Sequence, residues 1–410
     1  MDKRRIVITG MGAVTPLGLT VDEFWAGLTA GKSGVGYITR FDATNFSVKV
    51  AAEITDFEPE KYMDIKMVDR SARFTQFAIA ASKMAVESAK LDFLEIRPER
   101  VGVSIATTMD ISGITREHEV IKSRGPRRVS PLFVTRIGPH MASVQVGLLF
   151  DAKGPNSSVN SACASGSDAL ATAHDYIQLG YADVMLAGGT DATINELLVA
   201  SMGLLGALSR EINPDKASRP FDLNRDGFVA GEGSAILVLE TLEHAMVRGA
   251  PILAELAGVA RSFDAYNEAA PDPEVQAMAI TAAIKNAGIK PEDIDYVNAH
   301  GTGTRLNDAS ETKAIKIALG EHAYKIPVSS NKSMLGHIIT AAGAVEAMAS
   351  ILTINHGIIP PTINYETLDP DCDLDYVPNV ARPADVNVCL SNSFGMGGQN
   401  CCLVIKRFTG

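Results

Sequence analysis

One cysteine stands apart by its neighbours. In VNSACASGSD (159–168), Cys163 lies between two alanines, with Ser161, Ser165 and Gly166 close by. A free cysteine is most often a small buried hydrophobe, yet small residues on both sides would let a substrate come close to the sulfur. The Ala-rich stretch that follows predicts a helix starting at about Ala164. A helix N-terminus carries unpaired N–H groups and roughly half a positive charge. That position predicts a thiol drawn below its ordinary pKa of about 8.5, and so a nucleophile.

A nucleophile needs groups that move protons or stabilise charge. Of the eight histidines, His118, His174, His244 and His322 lie in polar or helical-surface contexts, His356 closes a helix beside Gly357, and His140 follows RIGP. His300 and His337 differ. His300 ends a strand-like run in VNAHGTGT, where Gly301 and Gly303 open the backbone, and His337 follows SSNKSMLG. Both sit at strand-to-helix junctions, where the sites of α/β proteins assemble.

The elements that must position these residues are legible as alternating strands and helices. RIVITG (5–10), VGVSIA (101–106), DVMLAGG (183–189), GSAILVLE (233–240), DYVNAHG (295–301), IPVSS (326–330), VCLSNS (388–393) and CCLVIK (401–406) read as buried strands. Residues 73–90 and 274–288 have helical periodicity, so the class is α/β. Residues 160–180 and 331–357 also echo one another, each a polar turn after a strand, then a helix too apolar to face water, then a glycine. This predicts a duplicated fold with two central buried helices, with halves at 1–250, carrying the cysteine, and 251–410, carrying the two histidines.

Composition excludes several classes. The net charge of −11 argues against non-specific nucleic-acid binding. Five cysteines in 410 residues form neither a disulfide framework nor paired zinc-ligand spacings. The opening MDKRRIVITGMG lacks a signal-peptide core, and no apolar run reaches the roughly 18 residues that span a bilayer, so a cytoplasmic enzyme without membrane partners is expected.

The motifs SACASG, NAHGTGT, NKSMLGH and NSFGMGG, in this order and spacing, make the whole chain resemble the elongating β-ketoacyl-acyl-carrier-protein synthases, condensing enzymes of the thiolase superfamily. The Cys–His–His set is similar to the elongating enzymes rather than to initiating ones, which use Cys–His–Asn, or to thiolases, which use a second cysteine. The resemblance implies the thiolase fold, duplicated α-β-α-β-α layers, and decarboxylative extension of an acyl chain by two carbons from malonyl-carrier protein. It makes Cys163 the acylated nucleophile and His300 and His337 the groups that promote loss of CO₂ and steady the enolate, with Lys332 orienting them and Glu346 as its counter-charge. The backbone N–H groups of Cys163 and Met396 would form the oxyanion hole. Thr302 and Thr304 would hold the phosphopantetheine arm, and Phe394, Met396, Met109 and Phe133 would shape the acyl pocket.

No cofactor is implied beyond that arm, save a monovalent cation that some relatives bind at positions matching Asn298, Glu346, Ser391 and Asn392. The expected partner is an acidic acyl carrier protein, docking on Lys66, Arg70, Arg73, Arg124, Arg127 and Arg128. A homodimer is expected, or a heterodimer with a chain-length factor were the pathway a type II polyketide one, since GTGTRLNDASET is also similar to those ketosynthases. A non-catalytic chain-length-factor-like scaffold is the remaining alternative, and Cys163, both histidines and Lys332 argue against it. The chain departs from the family at Met396, usually Phe, at Met109, often Ile, and at Asn267 in DAYN, usually His.

Overall fold

The computed structural model describes residues 4–410. Among them, ten strands join into one sheet: β1 (Ile6–Val14), β2 (Val101–Ala106), β3 (Asn156–Ser157), β4 (Val184–Asp191), β5 (Gly233–Thr241), β6 (Ala254–Phe263), β7 (Tyr296–Asn298), β8 (Val328–Ser329), β9 (Val388–Gly395) and β10 (Gln399–Lys406). Their order is β8-β7-β9-β10-β6-β1-β5-β4-β2-β3. Outward from the β1/β6 junction, both sides repeat one pattern. On one side β1–β5 and β5–β4 are antiparallel, then β4–β2 and β2–β3 are parallel. On the other, β6–β10 and β10–β9 are antiparallel, then β9–β7 and β7–β8 are parallel.

Every residue of β1, β2, β4 and β5 is buried. A sheet covered on both faces selects continuous apolar runs instead of alternation, which is why these strands are plain in the sequence. Helix α1 (Arg73–Ala89) covers the outer face of β1 and β5, and α3 (Pro273–Asn286) does the same for β6 and β10. The two contacts are alike: a Cβ at Gly10 would collide with Ala85 O and Ala89, and one at Gly258 with Ala283 O and Ala287. Only glycine lets helix backbone approach strand backbone so closely.

Between the two half-sheets lie α2 (Ser165–Gln178) and α5 (Ala342–His356), which pack on each other and on strands from both sides; α4 (Arg305–Leu319) lies outside on α3. This is the five-layer arrangement with two central helices. In α5 every residue from Ala342 to Ile354 is buried. The central helices cross near their N-termini, where a Cβ at Gly166 would press on Ala344 N and one at Gly343 on Ser167 N. The crossing brings the turn before α2 against the turn before α5, and the site is built there.

All eight strands named from the sequence are present, as is the strand before the first echoed segment, PNSSV (155–159); PNSSV and IPVSS contribute only two residues each to the sheet, as β3 and β8. Strand β6 is the one the sequence reading did not single out: its residues alternate in burial and include Ala254, Ala257, Gly258 and Ala260, so its pattern lacks a β-branched core.

Candidate active site

Cys163 lies in a 3-10 turn, Ala162–Ala164, directly before α2, which starts at Ser165. Ala162 has φ of 50°, a left-handed conformation that costs a side-chain-bearing residue about 1–2 kcal/mol. Ser165 holds the turn closed, its Oγ donating to Ala162 O at 2.6 Å and accepting the Ser161 N–H at 2.8 Å. The turn leaves Cys163 on the cavity wall while α2 continues behind it.

The nucleophilic sulfur of Cys163 and one ring nitrogen from each of His300 and His337 all lie within 4.8 Å of one another. The rings of His300 and His337 meet edge to face, with centroids 5.4 Å apart. His300 follows β7, and its backbone is pinned from α4: Glu311 accepts the N–H of His300 at 2.8 Å and of Gly301 at 2.7 Å. Asp308, one helical turn earlier, accepts the N–H groups of Thr302 and Gly303. Both carboxyls are fully buried, and burial pushes Glu311 up to about 7. These two acids are functional supports that the sequence reading missed. Their signal was there, as two acids three apart on the helix after NAHGTGT, but nothing local says they turn inward.

His337 is held by strand-like pairing, its N–H donating to Val229 O at 2.7 Å and its carbonyl accepting from Gly231 at 2.9 Å. Phe228, also missed, packs edge-on against its ring with centroids 5.1 Å apart.

Lys332 ties the cluster together. Its buried Nζ donates to His300 O at 2.7 Å and Nδ1 at 3.3 Å, and it is paired with Glu346. An ammonium has donors only, so Nδ1 of His300 accepts and the proton of the neutral ring sits on Nε2. Among the described residues, neither ring nitrogen of His337 has a hydrogen-bond partner. Burial pulls both imidazoles well below their ordinary pKa, and Lys332 adds to this, so both are neutral near pH 7. Burial raises Glu346 while the lysine opposes it.

The thiol departs from expectation. Burial pushes Cys163 above its ordinary value, outweighing the N–H groups of Met396 and of Cys163 itself and the charge of Lys332, which all favour thiolate. The helix start therefore does not leave a resident thiolate. Those two N–H groups are nevertheless the pair expected for the oxyanion hole, and both address the sulfur.

Cys163, His300 and His337 line a cavity of about 940 Å³, together with Thr302, Thr304, Phe394 and Met396. The Oγ1 atoms of Thr302 and Thr304 are 2.9 Å apart. Met109 and Phe133 are outside it. Met109 is 44% exposed on a segment joined to the Phe133–Ile137 helix by Asp110 N–H donating to Ile137 O.

All five docking residues other than Arg73, namely Lys66, Arg70, Arg124, Arg127 and Arg128, are exposed. Arg73 is not available: its guanidinium pairs with buried Glu232 and donates to Ile54 O, because α1 begins facing inward. At the expected cation position, Asn298 Oδ1, Glu346 Oε2, Ser391 Oγ and Asn392 Oδ1 are buried without a hydrogen-bond partner among the described residues, and Asn298 and Ser391 are neighbours across β7 and β9. Orphaned oxygens of this kind fit a hard cation.

Comparison with known proteins agrees with this geometry. Residues 3–245 match the Beta-ketoacyl synthase N-terminal domain, and residues 253–366 its C-terminal domain. The chain is 45% identical over 412 residues to 3-oxoacyl-[acyl-carrier-protein] synthase 2 of Synechocystis sp., covering 100% of this chain and 99% of that one. Among solved structures it resembles the ishigamide ketosynthase/chain length factor, with a TM-score of 0.94 and 38% identity over the full length of both. It also resembles a type II PKS ketosynthase in complex with its acyl-carrier protein, with a TM-score of 0.92, 37% identity and full coverage of both chains. The five layers are thus the thiolase fold, and no helix among the described residues is long and apolar enough to cross a membrane. With both halves of the family's sequence pattern present around one cysteine and two neutral histidines, the chain belongs to the β-ketoacyl synthases.

Proposed function

We propose that the protein extends an acyl chain by two carbons through decarboxylative condensation with a malonyl thioester on an acyl carrier protein. The observation that carries this reading is the Cys163–His300–His337 cluster, mutually within 4.8 Å on a cavity wall and flanked by two backbone donors at the sulfur. In the first half-reaction the Cys163 sulfur attacks the acyl thioester, its proton passes to the departing carrier thiol, and the acyl group remains on the cysteine. His337, with both ring nitrogens unpartnered, is the group free to take and return that proton. In the second, the malonyl group loses CO₂ and leaves an enolate, which His300 Nε2–H and His337 stabilise as hydrogen-bond donors. The enolate carbon attacks the acyl carbonyl, the N–H groups of Met396 and Cys163 hold the tetrahedral oxyanion, and collapse releases the β-keto product and the cysteine thiolate. Incubation with acyl- and malonyl-carrier should therefore give CO₂ and a product two carbons longer, read by mass spectrometry. Failure to form it would overturn the assignment.

The 45% identity to a 3-oxoacyl-carrier synthase, against 38% and 37% to the polyketide-type ketosynthases, supports fatty-acid elongation over the polyketide reading. Lys332 and Glu346 act as positioning residues, and Asn298, Glu346, Ser391 and Asn392 would hold a monovalent cation that stabilises the fold beside them. Residues 1–250 and 251–410 are the two copies of the duplicated unit, a reading supported by the matching strand patterns about the β1/β6 junction. A homodimer is supported by the exposed apolar Met109, Ile121, Val134, Leu148 and Leu149, which suit a covered face, and light scattering reads it directly. All five cysteines are free, which suits a reducing, cytoplasmic setting.

Carrier docking falls to Lys66, Arg70, Arg124, Arg127 and Arg128, exposed cations on a chain of net charge −11. Reversing Lys66, Arg70, Arg127 and Arg128 to glutamate should raise KM for carrier-bound substrates about tenfold or more and flatten its salt dependence. KM for malonyl-pantetheine should hardly move. Equal losses on both would mean that the charges act through stability instead.

Met396 lines the cavity and is 46% exposed. An unbranched methionine can yield where a ring would block. Met396→Phe should thus lower kcat/KM selectively for the longest acyl substrates, since the oxyanion hole uses only the backbone at 396. A flat profile across chain length in both enzymes would reduce Met396 to filler.

A further inference from the structure

The cavity wall includes two basic side chains that none of the roles above uses. Arg210 and Arg305 both line it, and both are exposed at its rim. The loop that leads to Arg305 climbs from floor to surface: His300 is 1% exposed, Thr302 5%, Thr304 half-buried and Arg305 open to solvent. Among the described residues, neither guanidinium is paired with a carboxylate. Each makes one long contact with a backbone carbonyl, Arg210 to Gly203 O and Arg305 to Arg225 O, both at 3.4 Å, which leaves the rest of each donor fork free.

The acids that line the same cavity are mostly committed. Asp226 accepts from Ser209 Oγ at 2.6 Å and from the Arg210 N–H at 3.0 Å. Asp264 accepts from Asn400 Nδ2 at 2.6 Å and from the Asp272 N–H at 3.0 Å. Glu268 is the remaining acid of the lining. The lining thus holds three carboxylates and two guanidinium groups; Asp226 and Asp264 are fixed by neutral donors, while both guanidinium forks stay open at the mouth of a channel whose floor is uncharged near pH 7. Guanidinium forks match phosphate oxygens in geometry as well as charge.

We infer that Arg210 and Arg305 form an anion subsite that takes the phosphate ester at the far end of a pantetheine thioester, with the thioester itself at Cys163. The inference rests on the condensing reading and adds what the mouth of the cavity recognises. The phosphate comes either from a carrier protein's arm or from a small phosphopantetheine thioester, and the subsite reads the chemistry they share.

Calorimetric titration of the whole protein with 4′-phosphopantetheine and with pantetheine tests it without turnover. The native protein should bind the phosphorylated form about tenfold more tightly, the size expected for charge-assisted hydrogen bonds. Arg210→Ala/Arg305→Ala should bind the two equally, and the double lysine variant should keep part of the preference. Equal binding of the two by the native protein, or a preference that survives the alanine pair, would overturn the subsite. With malonyl thioesters, KM of the alanine pair should rise on both carrier-bound and free phosphopantetheine substrates. A rise on the carrier alone would overturn the subsite, making the arginines a protein-docking contact. Loss of the binding preference in the variant, alongside a native protein that decarboxylates no malonyl thioester, would sink the condensing reading and leave the subsite standing.

Discussion

Cys163→Ser will show no measurable condensation, a loss of at least ~10³-fold in kcat, in a chain that remains folded. The sulfur lies where burial already works against ionisation, so only the ease of deprotonating a thiol keeps it reactive there. An alcohol at that point, with a neutral histidine as its acceptor, is far harder to deprotonate. The same environment sets the labelling pattern. Iodoacetamide should modify Cys163 ahead of the other four cysteines, which are all buried and whose thiols burial pushes up, Cys372 and Cys389 to about 12. Because the folded pKa of Cys163 is raised, its labelling rate should keep climbing with pH beyond the ordinary thiol range. Peptide mapping after labelling reads both. Near-normal turnover by the serine variant, or label falling elsewhere, would remove Cys163 from the chemistry and revive the scaffold reading.

The histidines should fail in a different way. His300→Ala or His337→Ala should lower decarboxylation of the malonyl thioester by about 10²–10³-fold, the usual effect of removing one donor to a developing oxyanion. Cys163 should still accept an acyl group in both. It should do so more slowly in His337→Ala, because His337 has the unpartnered nitrogens while His300 is fixed as a donor by Lys332. Release of CO₂ and acyl-enzyme mass, measured separately, divide the two steps. Decarboxylation that survives both changes would show the roles to be wrong. The pH dependence has a definite sign. Both imidazoles are depressed well below their ordinary value, so the neutral donors persist through the neutral range and are lost only as the pH falls through those low values. Unfolded histidines take up protons near pH 6.5. The stability these two rings contribute is therefore fully present above that value and drains away as the pH drops below it.

Much of this protein was legible in one dimension. Continuous apolar runs marked eight strands, because burial on both sheet faces leaves no polar alternation to confuse the period. The Ala-rich echo marked the two central helices, because a helix covered all round has no polar stripe. Cys163, His300, His337 and Lys332 could be named from motifs, since small residues and glycines cluster where backbone must approach backbone, as at Gly166 and Gly343. Tertiary structure decided the rest, and each case involves a partner distant in sequence. Whether the Cys163 thiol rises or falls depends on how much protein surrounds it, a sum over neighbours from β9, α5 and Lys332 that no local pattern contains. Arg73 lies in a basic stretch, yet Glu232, 159 positions away, claims it. Glu311 and Asp308 look like surface acids on a helix until α4 turns them under the His300 loop. The resemblance groups Met109 and Phe133 with Met396 at the acyl pocket, but of the three only Met396 lines the cavity around Cys163. Residue type and spacing set which chemistry is possible; the packing of distant segments sets the charge, exposure and orientation through which it acts.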